Sequence, residues 1–147
     1  MTQTNKIFNL EERTAVFGET IISFCRSIKR DNITAPLISQ LVRSSTSIGA
    51  NYCEANNASS KRDFRNKIFI CKKESQETKH WLRIFAHAVP EKQSEITKLG
   101  NECQQLLMIF QKICSSLGNW LLKIQWKLNI VNWKLYMLVF SYDSRCD

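Results

Sequence analysis

One glutamate and one histidine have the spacing of metal ligands on a helix. Glu77 and His80 form a Glu-x-x-His pair, and such pairs supply ligands to di-iron centres in helical bundles. Those centres need two copies of the pair and two further glutamates. The other histidine of the chain, His87, has Ile84 three residues before it instead of a glutamate. We therefore expect His80 to be a surface histidine, and the sequence predicts no metal site, no cofactor and no catalytic residue.

The usual nucleophilic and phosphate-binding motifs are absent from the sequence. It contains no Gly-rich phosphate loop, no His-Glu-x-x-His and no nucleophile elbow. Its six cysteines form no CxxC pair and show no zinc spacing: Cys25, Cys53, Cys71, Cys103, Cys114 and Cys146. The first five fall inside helical patterns, so we expect buried free thiols in a reducing cytoplasm. The sequence therefore predicts a protein that is not an enzyme.

Basic residues form a stronger pattern. The chain carries 21 Lys and Arg against 13 Asp and Glu, a net charge of +8, which favours an anionic partner. One stripe of the third predicted helix is basic, interrupted by Phe69 and flanked by Arg62 and Lys73; its members are Lys61, Arg65, Lys72, Lys79 and Arg83. Such a ladder can neutralise nucleic-acid phosphates without reading base sequence. The alternative is an ordinary solvated face, partly balanced by Glu74 and Glu77.

The helices that position this stripe follow from hydrophobic spacing. Apolar residues recur at intervals of three and four in four segments, which predicts helices at about 10–30, 34–57, 60–88 and 94–117. Asn9 is the expected N-cap of the first. A sustained 3.5-residue period is typical of nearly parallel helices with a left-handed supercoil. With short connections, this predicts an all-α, antiparallel, up-down-up-down four-helix bundle over residues 1–117.

Residues 118–147 have a different pattern. The segments "IQWKLNI" and "VNWKLYM" are a near repeat at a period of seven, interrupted by lysines. No uncharged apolar run approaches the roughly 20 residues needed to span a bilayer. The tail is compatible with a fifth amphipathic helix, a strand pair, an interfacial segment or the translation of a short DNA repeat.

The second predicted helix contains an unusual stretch, "SIGANYCEANNASS". A glycine inside a helix costs about 1 kcal/mol relative to alanine, so Gly49 needs a reason. Together with Ser45 and Cys53 it makes a narrow groove that a neighbouring helix can approach closely. Beside this groove runs a polar stripe that includes Asn51 and Glu54 and can bond to a neighbouring helix or subunit. The alternative is that the polar stripe is only the solvated border of the helix.

The stretch also carries a family resemblance. "SIGANYCEA", the "SKRDF" entry to the third helix and "KIFICKKESQETKHWL" closely resemble the four helix bundle protein family, also called the 23S rRNA intervening sequence or S23 protein family. The resemblance covers about residues 7–117. It implies a bacterial protein with an up-down bundle that assembles into a homopentamer. A relative, the accessory variability protein of diversity-generating retroelements, binds nucleic acid and a reverse transcriptase. The family supplies no catalytic residues.

The sequence thus favours a cytoplasmic, oligomeric, non-enzymatic module that binds RNA or DNA through a basic helix face. The alternative is a protein–protein scaffold, whose charge serves an acidic partner. The protein partners that the resemblance implies are a reverse transcriptase or another protein.

Overall fold

The computed structural model describes the backbone of residues 9–140 and the side chains of residues 9–117. This part of the chain is all-helical and contains no strand. It comprises four α-helices, α1 (Leu10–Arg26), α2 (Thr34–Asn56), α3 (Lys61–Ala88) and α4 (Gln93–Phe140), with a 3-10 turn at Pro90–Lys92 before α4. The prediction of an all-α chain with four helices is confirmed.

Two predicted helix ends are wrong. The first helix stops at Arg26 rather than near residue 30, because the amides of Ser27 and Ile28 bond three residues back, to Phe24 and Cys25, in a closing turn. The fourth helix does not stop at Leu117 but continues to Phe140. The described part of the tail is therefore helical and continuous with α4, and neither a strand pair nor a separate fifth helix.

The helix starts have local causes. The Asn9 side chain accepts the amide of Glu12 at 3.2 Å, which confirms it as the N-cap of α1. The Ser60 hydroxyl accepts the amide of Asp63 at 3.1 Å at the start of α3. Before α2, the Asp31 carboxylate accepts the amides of Thr34 and Ile33. These backbone bonds hold the pKa of Asp31 below its usual value.

The hydrophobic core draws on all four helices. The largest fully buried side chains include Ile21, Leu41, Ile48, Ile68, Phe85, Leu106 and Phe110. Phe24 of α1 meets Phe85 of α3 edge to face at 5.9 Å between ring centroids. Leu37 and Tyr52 lie on the same face of α2 as Leu41 and Ile48 but are only half-buried, although the Tyr52 ring lies 5.9 Å from that of Phe110.

Contacts between neighbouring helices follow a regular order. Between α1 and α2, Glu11 near the start of α1 binds Asn56 at the end of α2. Gly18, later in α1, lies beside Thr46, which comes earlier in α2. Between α2 and α3, Ser44 bonds to Thr78, whereas Glu54 pairs with Lys67. In both helix pairs, residues with higher numbers on one helix therefore contact residues with lower numbers on the next.

The first half of α4 joins the same core. The Sγ of Cys103 bonds to the carbonyl of Ser75 on α3, and Glu102 pairs with Arg13 of α1. The chain divides into two compact units after Ile113, and the side-chain contacts described here lie in the first. The predicted boundary between 1–117 and 118–147 stays a prediction. Among the described helices, none is long and apolar enough to cross a membrane.

Candidate nucleic-acid interface

The outward surface of α3 carries the predicted basic stripe. α3 buries one face, on which Ile68, Cys71 and Leu82 are at most 2% exposed. The opposite surface, called here the outer face, consists of Lys61, Arg62, Arg65, Phe69, Lys72, Lys73, Lys79 and Arg83. All of these side chains are exposed except that of Lys72, which is half-buried. The helix therefore brings every predicted nucleic-acid-binding residue to one side of the molecule.

The acidic residues that could balance this face point elsewhere. Glu74 is buried and Glu77 is half-buried, and both carboxylates pair with Arg43 of α2. Glu77 also accepts a bond from the indole of Trp81 at 3.2 Å. The outer face itself contains no carboxylate. Its positive charge is therefore not neutralised by Glu77, and Glu74 offsets it only at Lys73, whose ammonium lies 3.4 Å from that carboxylate.

The cations of the outer face differ in how firmly they are held. Lys79 donates to Gln104 of α4, and Lys72 lies over the Phe69 ring, 5.3 Å from its centroid. In contrast, the guanidinium groups of Arg62, Arg65 and Arg83 make no bond or ion pair to another side chain within residues 9–117. From Lys61 to Arg83 the face extends about 33 Å at the helical rise. The face therefore presents positive charge along a length that suits a nucleic-acid backbone.

At Gly49 the first helix of the same chain closely approaches the predicted groove. A Cβ at Gly49 would lie 3.5 Å from both the carbonyl oxygen and the hydroxyl of Thr14. Ser45 is fully buried and bonds to the Val42 carbonyl. The close approach predicted for this groove is made by α1, whereas a role in binding another subunit stays a prediction.

The polar residues beside Gly49 do not act together. Asn51 donates to the Ser47 carbonyl of its own helix at 2.9 Å, and Glu54 pairs with Lys67 of α3.

Cys53 is exposed and lines an open groove of about 400 Å³ between α1 and α2. The other walls of this groove include small residues of both helices, Ala15, Gly18, Gly49 and Ala50, and the acids Glu11, Glu12 and Glu19.

The cysteine prediction holds for three residues. Cys25, Cys71 and Cys103 are buried thiols that form no disulfide within the described residues. Burial raises the pKa of Cys25 to about 11 and that of Cys103 to about 12, so both remain protonated and unreactive near neutral pH. Cys53 and Cys114 were expected to be buried as well, but Cys53 is exposed and Cys114 half-buried. Cys146 lies outside the described residues.

Glu77 and His80 are engaged differently, because Glu77 pairs with a cation whereas His80 is exposed. Glu77 is engaged by Arg43 and Trp81, while His80 is exposed with its ring 5.2 Å from that of Trp81. Within the described residues, no cluster of three or more His, Cys, Asp or Glu side chains could hold a metal ion.

Sequence reasoning missed Arg43 as the partner of Glu74 and Glu77. Its helical spacing marks it only as an exposed residue of α2, and nothing local links it to acids 31 and 34 residues away.

Comparison with known proteins identifies the fold. The family model described as "23S rRNA-intervening sequence protein" matches residues 9–112. A crystal structure of a protein of unknown function from the S23 ribosomal protein family of Bacteroides thetaiotaomicron is similar, with a TM-score of 0.65 and 26% sequence identity. The match covers 72% of this chain and 98% of the other. Among curated proteins, none matches the chain.

Proposed function

The chain belongs to the 23S rRNA-intervening sequence protein family, and on that premise we propose that it is a non-enzymatic, oligomeric module that contacts RNA or DNA phosphates through the outer face of α3. The observation that carries this proposal is the separation of charge on α3. Its exposed cations occupy one face, while Glu74 and Glu77 turn toward Arg43. On a helix face that only keeps a protein soluble, we expect positively and negatively charged side chains to alternate.

The proposal includes the arrangement of the helices. We infer an antiparallel, up-down-up-down, left-handed bundle, supported by the order of contacts along α1–α2 and α2–α3 and by the short connections. In such a bundle the outer face of α3 points away from the core along its whole length. The module would be cytoplasmic, because its three buried thiols suit a reducing compartment.

Removing charge from the outer face should weaken nucleic-acid binding. In the triple variant Arg65→Gln, Lys72→Gln and Lys79→Gln, each lost phosphate contact should lower the salt slope of log K by about 0.7–0.9. The total is about two to three units for three contacts. Gln is a good helix former, so the fold should remain. Isotherms for RNA and DNA of unrelated sequence, measured at several salt concentrations, report this change.

A second triple variant provides the matched control. Arg26→Gln, Lys29→Gln and Arg30→Gln removes the same charge from exposed positions at the last residue of α1 and in the loop that follows it. If the two triple variants lose affinity equally, binding is diffuse and α3 is not the interface. If neither changes the slope, the outer face is only a solvated surface.

Self-association is the second part of the proposal. The resemblance implies a homopentamer, and the open groove between α1 and α2 is a candidate surface for the contact between chains. Multi-angle light scattering should report about five chains per particle. An oligomer would also strengthen weak phosphate contacts through avidity. A monomer at micromolar concentration would contradict this prediction.

A protein–protein scaffold is the second candidate function. The observation that favours it is the α1–α2 groove, whose small residues would let a helix of a reverse transcriptase or another protein approach closely. A pull-down repeated after nuclease treatment distinguishes the two functions. A partner that survives the nuclease supports the scaffold, whereas loss of all partners supports nucleic-acid binding.

A further inference from the structure

Phe69 is a bulky apolar side chain in an otherwise charged and polar surface. Its side chain is 58% exposed, whereas Phe85 on the same helix is fully buried. Single exposed apolar residues are common and need no explanation by themselves. What sets Phe69 apart is its surroundings: Arg65 stands four residues before it and Lys73 four residues after it, so both are its neighbours on the helix surface.

The Phe69 ring is held beneath a cation. The Lys72 ammonium lies 5.3 Å from the ring centroid, within the range of a cation–π interaction. Much of the ring remains open to solvent despite this contact. The outer face therefore presents an aromatic surface between groups that attract phosphates.

We propose that the outer face of α3 binds unpaired nucleotides, with the Phe69 ring stacking against a base while neighbouring cations contact the flanking phosphates. This inference rests on the proposed function and names its substrate class as single-stranded nucleic acid. Aromatic side chains inside a basic surface are the usual platform for single strands, because every base offers a π-face. A continuous duplex keeps its bases stacked on one another and offers α3 only phosphates.

Charge argues against a protein occupant for this position. The centre of a protein interface is depleted of charged residues, lysine in particular. Around Phe69, however, three of the four positions one helical turn away are basic, Arg65, Lys72 and Lys73, and the fourth is Asn66. A protein docking on the ring would have to desolvate these cations, whereas a nucleic-acid strand would supply each with a phosphate.

The test compares single strands with duplexes for variants of one residue. The probes are fluorescently labelled, non-self-complementary single strands of RNA and DNA, and long duplexes of the same sequence whose ends are a small fraction of their length. Phe69→Ala should weaken single-strand binding by about 5- to 150-fold, the range for losing one stacked base. It should leave duplex binding and both salt slopes unchanged, because no charge is removed.

Two further variants separate stacking from apolar contact. Phe69→Trp should retain or strengthen single-strand binding, whereas Phe69→Leu should weaken it like Phe69→Ala. Circular dichroism should show the same helix content for all three variants, since the side chain lies outside the core.

The outcomes separate this inference from the proposed function. If the wild type binds neither probe, the proposed function fails, and the inference fails with it. If the wild type binds both probes and Phe69→Ala changes neither affinity, the function stands and stacking is overturned. If Phe69→Ala instead reduces the number of chains per particle, the ring belongs to a subunit contact and the inference is likewise overturned.

Discussion

Phe85→Ala should lower the free energy of unfolding by about 3–5 kcal/mol. Phe85 is 0% exposed, and its ring meets Phe24 of α1 edge to face at 5.9 Å. The substitution removes apolar surface from the core, leaves a cavity that the helices fill only in part, and deletes an aromatic pair. The loss is a large share of the 5–15 kcal/mol that stabilises a typical domain.

Chemical denaturation followed by circular dichroism measures this loss. Phe69→Ala is the matched control, because it removes the same side chain from the same helix at an exposed position. We expect the control to change stability by no more than about 0.5 kcal/mol. If the two variants were equally stable, Phe85 would not lie in the core and the packing of α1 on α3 would be wrong.

Gly49→Leu should destabilise the protein by about 1–3 kcal/mol. A Cβ at this position would already lie 3.5 Å from the Thr14 carbonyl oxygen and hydroxyl, an ordinary van der Waals contact. The further carbons of leucine would have to push α1 away from α2 or turn into the adjoining groove. The same movement would disturb any chain that packs in that groove.

Gly49→Ala is the control for this prediction. Alanine adds only the Cβ, which the structure accommodates, and it gains up to about 1 kcal/mol of helix propensity over glycine. We therefore expect opposite signs for the two variants in the same denaturation experiment. Equal stability of Gly49→Leu and wild type would show that α1 does not approach α2 at this point. Light scattering on both variants then shows whether assembly depends on the groove.

The sequence predicted best what depends on local spacing. The inward stripe of α3 follows from the alternation of three and four residues. Six of its seven members are buried, namely Ile68, Cys71, Ser75, Thr78, Leu82 and Phe85, whereas Phe64 at its start is half-buried. The Asn9 cap was predictable because its partner is only three residues away. By the same rule Leu37 and Tyr52 share a face of α2 with Leu41 and Ile48, yet both are half-buried. Periodicity identifies a face, but the packing of neighbouring helices sets the width of the part that is covered.

The candidate site was predictable only in outline. Spacing put the basic residues of α3 on one face, and the structure places them there. Spacing could not show the direction of the Glu74 and Glu77 side chains. That direction is set by Arg43, which is more than 30 residues away in the chain. Exposure of Cys53 was missed for the same kind of reason: an amphipathic pattern does not reveal which of two adjacent stripes the next helix covers.

The ion pair between the first and last helices bears on how the chain folds during its synthesis. The Arg13 guanidinium bonds to the Glu102 carboxylate at 2.6 and 2.9 Å and to Gln105 at 2.7 Å, across 89 and 92 residues of sequence. The α1–α2 and α2–α3 contacts join consecutive helices and can form as soon as these have left the ribosome. The Arg13 contacts close a much longer loop and require the first half of α4. α1 is made before α2, α3 and α4, yet it gains its last partners only when α4 is made. Until then the part of α1 that meets α4 remains open to chaperones and to other nascent chains.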